Sequence, residues 1–189
     1  MATPKELSDF LKEVEKRAFK RALYHVRNDE SAFDIVQDSM MRLAENYGDK
    51  PVEELPLLFQ RILSNATMDW FRRQKVQNAL FSPFSDFQSQ DEDAGEFDIL
   101  EAISVANVPP EFDNPQSNHE RAQTLRVIED ALLKLPLRQR EAFLLRYWED
   151  MGVAETASTM GCSEGSVKTH CFRAIQTLAK TLTARGISS

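Results

Sequence analysis

Residues 160–174 read MGCSEGSVKTHCFRA. Two cysteines, one histidine and two basic residues crowd this stretch, which could be a metal site, a catalytic loop or a surface that reads another molecule. The metal reading is weak. Cys162 and Cys171 lie nine positions apart, and neighbours on a helix, such as His170 and Cys171, point about a hundred degrees apart. Zinc sites want four ligands, commonly in closely spaced pairs. Gly161 suits the end of a short helix and Ser163 the start of the next, with Glu164 favourable in its first turn. Short helix, tight turn, longer helix is a helix-turn-helix. On the second helix Val167, Cys171, Ala174, Ile175, Leu178 and Leu182 form an apolar stripe, which makes Cys171 a small core residue. Lys168, Thr169, Phe172, Arg173 and Gln176 remain outside. That set suits a major groove: Lys and Arg donate to guanine edges or phosphates, Gln pairs with adenine, and a Thr methyl or Phe touches thymine.

Working outward, Leu125, Ile128, Leu132 and Leu135 mark a helix that Pro136 interrupts. LRQREAFLLRYWED begins another, and MGVAETASTMG leads into the turn. At the other end, Leu7, Phe10, Leu11, Val14, Ala18 and Ala22 recur at helical spacing. A second helix is expected over 32–47, with Phe33, Val36, Met40 and Leu43 on its stripe. GDKPVEELP then reads as a loop, and a third helix is expected over 57–75 with Phe59, Ile62, Leu63, Ala66 and Trp70 inward. No sustained period-two alternation occurs. The expectation is an all-α chain of two small helical domains, 1–75 and 121–189, joined by a long acidic linker, 76–120.

The charge supports that division. The net charge of −7 divides into zero over 1–75, −10 over 76–120, where there is no Lys or Arg, and +3 over 121–189. The acidity belongs to the middle, so the ends can still meet nucleic acid. The linker holds four of the eight prolines, yet it also carries Phe81, Phe84, Phe87, Phe97, Ile99, Leu100 and Ile103. It is a disordered spacer with apolar spots or a segment that docks into a groove. Two cysteines and no apolar export signal point to a reducing cytoplasm. His25, His119 and His170 sit in no nucleophile, phosphate or metal motif, so no enzyme activity, metal or cofactor is expected.

A helix-turn-helix alone fits any repressor or activator. However, DIVQDSMMRL (34–43), LPLLFQRILSNATMDWFRR (55–73) and KLPLRQREAFLLRYWEDMGVAETASTMGCSEGSVKTHCFRA (134–174) together resemble the extracytoplasmic-function group of bacterial sigma factors, within the sigma-70 family. The order and spacing of the three motifs carry the resemblance. It implies that the N-terminal domain binds the polymerase clamp and opens the −10 promoter element. The C-terminal domain would bind the polymerase flap and read the −35 element. By position, Asp34, Gln37, Asp38, Met41 and Arg42 match the clamp-binding helix. The loop 47–55, with Tyr47 and Lys50, matches the one that captures a flipped base. Arg61, Asn65, Asp69, Arg72 and Arg73 match the strand-contacting helix, and Lys168, Thr169, Phe172 and Arg173 the −35 reader. An anti-sigma factor, often at the inner membrane, is the implied inhibitor.

Each role has a plainer alternative. Tyr47 could simply cap its helix, and Asp34 and Asp38 could be a solvated face. Trp70, on the stripe, is more a core residue than a stacking platform, and Phe71 is the better exposed candidate. The linker could run through the polymerase channel with its carboxylates where phosphates go, or fold over the DNA-binding surfaces and mask them. A regulator with a ligand-sensing N-terminal half, and a sigma mimic without a DNA face, are the rival functions. With little net positive charge at either end, the isolated protein should bind duplex DNA weakly and depend on the polymerase to present both heads.

Overall fold

The computed structural model describes residues 2–81 and 115–186 of the 189-residue chain. Seven α-helices and two short turns make up the described residues, with no strand among them. Helix α1 (Pro4–Val26) starts at Thr3, whose hydroxyl accepts from the Glu6 N–H while the Glu6 carboxylate accepts from the Thr3 N–H. This reciprocal cap satisfies two donors that a helix start leaves free. It ends at Arg27 in the left-handed region (φ 57°). Asn28 then caps α2 (Asp29–Tyr47), accepting from the Ser31 N–H at 2.8 Å. A 3-10 turn (Val52–Glu54) leads into α3 (Leu55–Phe81).

These three helices share one core of Ala18, Ala22, Ile35, Val36, Leu43, Leu55, Phe59 and Leu63, with Phe10 edge-on to Phe59. Full burial of each large side chain contributes roughly 1.5–3 kcal/mol. The stripe expected on α2 is corrected at one position: Phe33 is 48% exposed, and Ala32 and Ile35 take the inward place. α3 also runs past 75, into the segment read as linker.

α4 (Pro115–Lys134) begins before 121, and Pro136 separates it from α5 (Leu137–Phe143) as expected. Leu144–Trp148 form a π turn, followed by α6 (Val153–Met160) and α7 (Glu164–Ala184). Two clusters hold these helices together. One gathers Ile128, Leu132, Leu135, Phe143, Leu144, Ala174, Leu178 and Leu182; the other gathers Ala142, Leu145, Met151, Ala157, Met160, Val167 and Cys171. Thr156 is fully buried in α6, its hydroxyl donating to the Gly152 carbonyl at 2.8 Å, so the helix itself satisfies the polar group. Phe84, Phe87, Phe97, Ile99, Leu100 and Ile103 lie outside the described residues.

The two helical groups are packed together, an arrangement that the sequence leaves open. Tyr24 of α1 reaches into the C-terminal core, edge-on to Trp148, and its hydroxyl donates to Glu129 at 2.9 Å. Around it the joint is polar. Arg140 donates to the carbonyls of Tyr24 and His25, at the end of α1, and to those of Leu133 and Leu135. Glu141 is fully buried. Its carboxylate lies 2.8 Å from His25 Nε2 and 3.7 Å from the Arg21 guanidinium, and accepts from the Ser64 hydroxyl of α3.

Candidate nucleic-acid interface

The turn between α6 and α7 is built as the sequence implies. Gly161 adopts the left-handed conformation (φ 64°) that only glycine enters without strain, and the Ser163 hydroxyl accepts from the Ser166 N–H at 3.1 Å. Arg138 of α5 donates to the Met160 carbonyl at 3.0 Å and ties the end of α6 to its neighbour. α7 is thereby held with Val167, Cys171, Ala174 and Leu178 buried beneath it.

Its outer side carries Lys168, Thr169, Phe172 and Arg173, all exposed, with Gln176 half-buried at the edge. Phe172 is 62% exposed, a large apolar side chain left in water between a threonine and an arginine. The Thr169 hydroxyl donates to the Gly165 carbonyl at 3.0 Å and is occupied within the helix. Burial and the neighbouring Arg138 and Arg173 lower the pKa of His170, so it adds no charge at neutral pH. Burial raises that of Cys171 and keeps the thiol protonated among apolar neighbours.

At the other end, α2 exposes Asp34, Gln37, Asp38, Met41 and Arg42. Met41 is 59% exposed, and Arg42 pairs with Asp38 at 2.9 Å across one helical turn. Such an exposed pair is worth only a few tenths of a kcal/mol. On α3, Arg61, Asn65, Arg72 and Arg73 are exposed, and the half-buried Asp69 pairs with Arg72 at 3.0 Å. Between the helices runs a groove of about 340 Å³, lined by Asp34, Asp38 and Arg42 on one wall and Asp69, Trp70 and Arg73 on the other. The fold thus puts residues matched to the clamp helix and residues matched to the strand-contacting helix on one groove.

Two aromatic expectations are corrected or settled here. Phe71, the better exposed candidate of the two rings by sequence, is half-buried against the N-terminal core, edge-on to Trp70 with ring centroids 5.0 Å apart. Trp70 packs on the same core, as its place on the stripe implied. Tyr47 is half-buried against that core, while Lys50 is exposed in the loop that follows.

Sequence reasoning missed the cluster of Arg21, His25, Ser64, Arg140 and Glu141. One signal was available: Arg17, Arg21 and His25 recur every four residues on α1, a polar row beside the apolar stripe. Burial alone would raise the pKa of Glu141. Contact with His25, Arg21 and the Ser64 hydroxyl outweighs it and holds the carboxyl at about 2. For His25 burial dominates and, with Arg21 and Arg140 alongside, lowers the pKa despite the carboxylate, so the imidazole is neutral at neutral pH.

Comparison with known proteins matches this architecture. Residues 125–178 fit the family model "Sigma-70, region 4", a span that contains the whole α5–α6 segment and most of α7. The chain is 25% identical to the RNA polymerase sigma-E factor of Streptomyces coelicolor, over 97% of its own length and 90% of that protein's. The chain is a relative of the extracytoplasmic-function sigma factors. It is likewise 25% identical to the RNA polymerase sigma factor SigV of Bacillus subtilis, over 90% of this chain and 87% of that one. It is 27% identical to the ECF RNA polymerase sigma factor SigM of Mycobacterium tuberculosis, over 82% and 66% respectively. Its fold matches that of the sigma factor RpoE of Bartonella quintana, solved in complex with the anti-sigma factor NepR. The TM-score is 0.59 at 20% identity, covering 93% of this chain and 97% of that one.

Proposed function

We propose that this ECF-type relative is a transcription initiation factor that binds core RNA polymerase in the cytoplasm and directs it to specific promoters. In this reading residues 121–189 bind the flap, and α7 reads the −35 element as duplex through Lys168, Thr169, Phe172, Arg173 and Gln176. Residues 1–75 seat Asp34, Gln37, Asp38, Met41 and Arg42 on the polymerase clamp. Arg61, Asn65, Asp69, Arg72 and Arg73, with Tyr47 and Lys50 in the loop, hold the melted −10 strand. Residues 76–120 tether the two, and an anti-sigma factor covers them when the protein is idle.

The observation that carries the reading is the outer face of α7: an exposed Phe172 flanked by exposed Lys168, Thr169 and Arg173, on a helix anchored by a glycine-capped turn. Phosphate contacts by the basic residues position such a helix, and contacts to base edges specify the site. The α2–α3 groove supports the second half, since it sets the guanidinium groups of Arg42 and Arg73 beside the Trp70 ring, with Asp34, Asp38 and Asp69 on its walls. Multi-round transcription with core polymerase on a pool of genomic fragments tests the proposal. New start sites should depend on this protein and fall sharply with Arg173→Ala. Start sites identical to those of core polymerase alone overturn it.

A further inference from the structure

The α2–α3 groove, at about 340 Å³, falls within the roughly 300–1,000 Å³ of small-molecule pockets. One wall runs from Ser31 to Arg42 on α2 and the other from Ala66 to Arg73 on α3. This is the end of the helix pair away from the loop 47–55: Asp34 lies about 20 Å along α2 from Tyr47. Gln37 and Met41 do not line the groove; they stand roughly a third of a turn round α2 from it. A ligand in the groove and a protein contact through Gln37 and Met41 therefore occupy different faces. Two ion pairs close within single helices, Asp38 with Arg42 and Asp69 with Arg72. Asp34 and Arg73, on opposite walls, have no partner among the described residues, and neither has the Ser31 hydroxyl. Between the walls the lining is apolar, with Ile35, Ala66 and the half-buried Trp70.

These unanswered groups form a pattern. Ser31 and Asp34 are one turn apart on the same wall, a hydroxyl donor followed by the two acceptor oxygens of a carboxylate. The Watson–Crick edge of guanine is its complement: O6 accepts, while N1–H and the 2-amino group donate side by side. Adenine turns a ring acceptor, N1, toward the carboxylate, and cytosine and thymine each offer it one donor. Trp70 supplies a surface for the ring of a base, since stacking is open to any base. Arg73, three residues on from Trp70 on the same side of α3, is placed for the phosphate that follows the sugar. We propose that the α2–α3 groove binds one unpaired guanine nucleotide, read by Ser31 and Asp34, stacked on Trp70 and held at its phosphate by Arg73. The guanine belongs to a free nucleotide or to a separated DNA strand; only the second source rests on the function proposed above.

The test uses the full chain at low salt, without polymerase. The probes are guanosine monophosphate and single-stranded heptamers carrying guanine, adenine or inosine among thymines; inosine lacks only the 2-amino group of guanosine. Calorimetry gives the affinities. The guanine heptamer should bind at least about tenfold more tightly than the other two, because each of them leaves the carboxylate short of a donor. It should also quench indole fluorescence, and Trp70→Phe should remove that quenching. Asp34→Asn should erase the preference for guanine, whereas Arg73→Ala should weaken all three heptamers alike, since a phosphate contact carries no base information. Circular dichroism should show unchanged helix content for both. Displacement of the guanine heptamer by the monophosphate supports the site and makes a free nucleotide sufficient; a heptamer that binds where the monophosphate does not supports it with the strand as source. The site is overturned if the three heptamers bind alike, or if the preference for guanine survives Asp34→Asn. Failure to initiate on any promoter would sink the function proposed above and leave these affinities to decide the site by themselves.

Discussion

The joint around Glu141 and the outer face of α7 depart from the usual inside–outside rule in opposite directions. At the joint, a carboxylate and an arginine are withdrawn from water; on α7, a phenylalanine is left in it. The joint spends desolvation energy to define one relative position of two helical groups. The face of α7 leaves apolar surface uncovered, which costs the fold nothing it can recover internally and leaves contact area for something else. One departure serves the chain's own arrangement, and the other leaves a surface for the partner proposed above.

The sharpest way to separate them is at Glu141. Glu141→Ala should weaken the packing of the two helical groups by about 3 kcal/mol, because Arg21 keeps only Glu149 as an anion and His25 and Ser64 lose their acceptor. The double change Arg21→Met with Glu141→Leu should recover most of that loss. Urea titration of the inter-group distance checks both, and a double variant as open as the single one would show that the charges supply stability rather than position. On α7 the expectation is reversed: Arg173→Ala should cost roughly 1–3 kcal/mol in holoenzyme–promoter affinity, read by gel shift, without moving the melting temperature.

A third measurement uses pH. The imidazole of His25, facing Glu141, Arg21 and Arg140, has its pKa below the usual 6.5, so an opened chain takes up a proton that the shut chain refuses. The packed arrangement of the two groups is therefore favoured above 6.5 and loses ground as pH falls below it. Glu141 keeps its charge through that window and adds its own loss only as pH drops from 4.5 toward 2. His25→Gln should flatten that loss on acidification, checked by the same urea titration at a series of pH values. The smallest effect is expected for the stability of Phe172→Ala, within about 0.5 kcal/mol in thermal melting, since the ring lies outside the core. A larger loss would mean that the ring packs in solution.

These contrasts also mark where sequence reasoning succeeds. Gly161, Ser163 and the stripe from Val167 to Leu182 are local signals, because cap and period lie within one turn or one helix. The exposed set on α7 followed from them by subtraction, and so did Asp34, Gln37, Asp38, Met41 and Arg42 on α2. Phe33 was misplaced because period alone cannot tell which of two adjacent apolar positions the neighbouring helix covers; Ala32 and Ile35 fit against the core, and the ring is turned out. Phe71, offered only as the better exposed candidate, is half-buried because Trp70 beside it gives the ring a partner. The joint was illegible because Arg21, Ser64 and Glu141 come from three helices, separated by up to 120 positions. Each alone reads as an ordinary surface residue.

Arg140 carries a last consequence. Its guanidinium addresses four carbonyl oxygens, on Tyr24, His25, Leu133 and Leu135. Every one of those acceptors belongs to the main chain, which mutation at those four positions leaves in place. Side chains along α1 can therefore drift over generations while this anchor still finds the same oxygens, whereas lysine at 140, with three donors from a single nitrogen, could not span them.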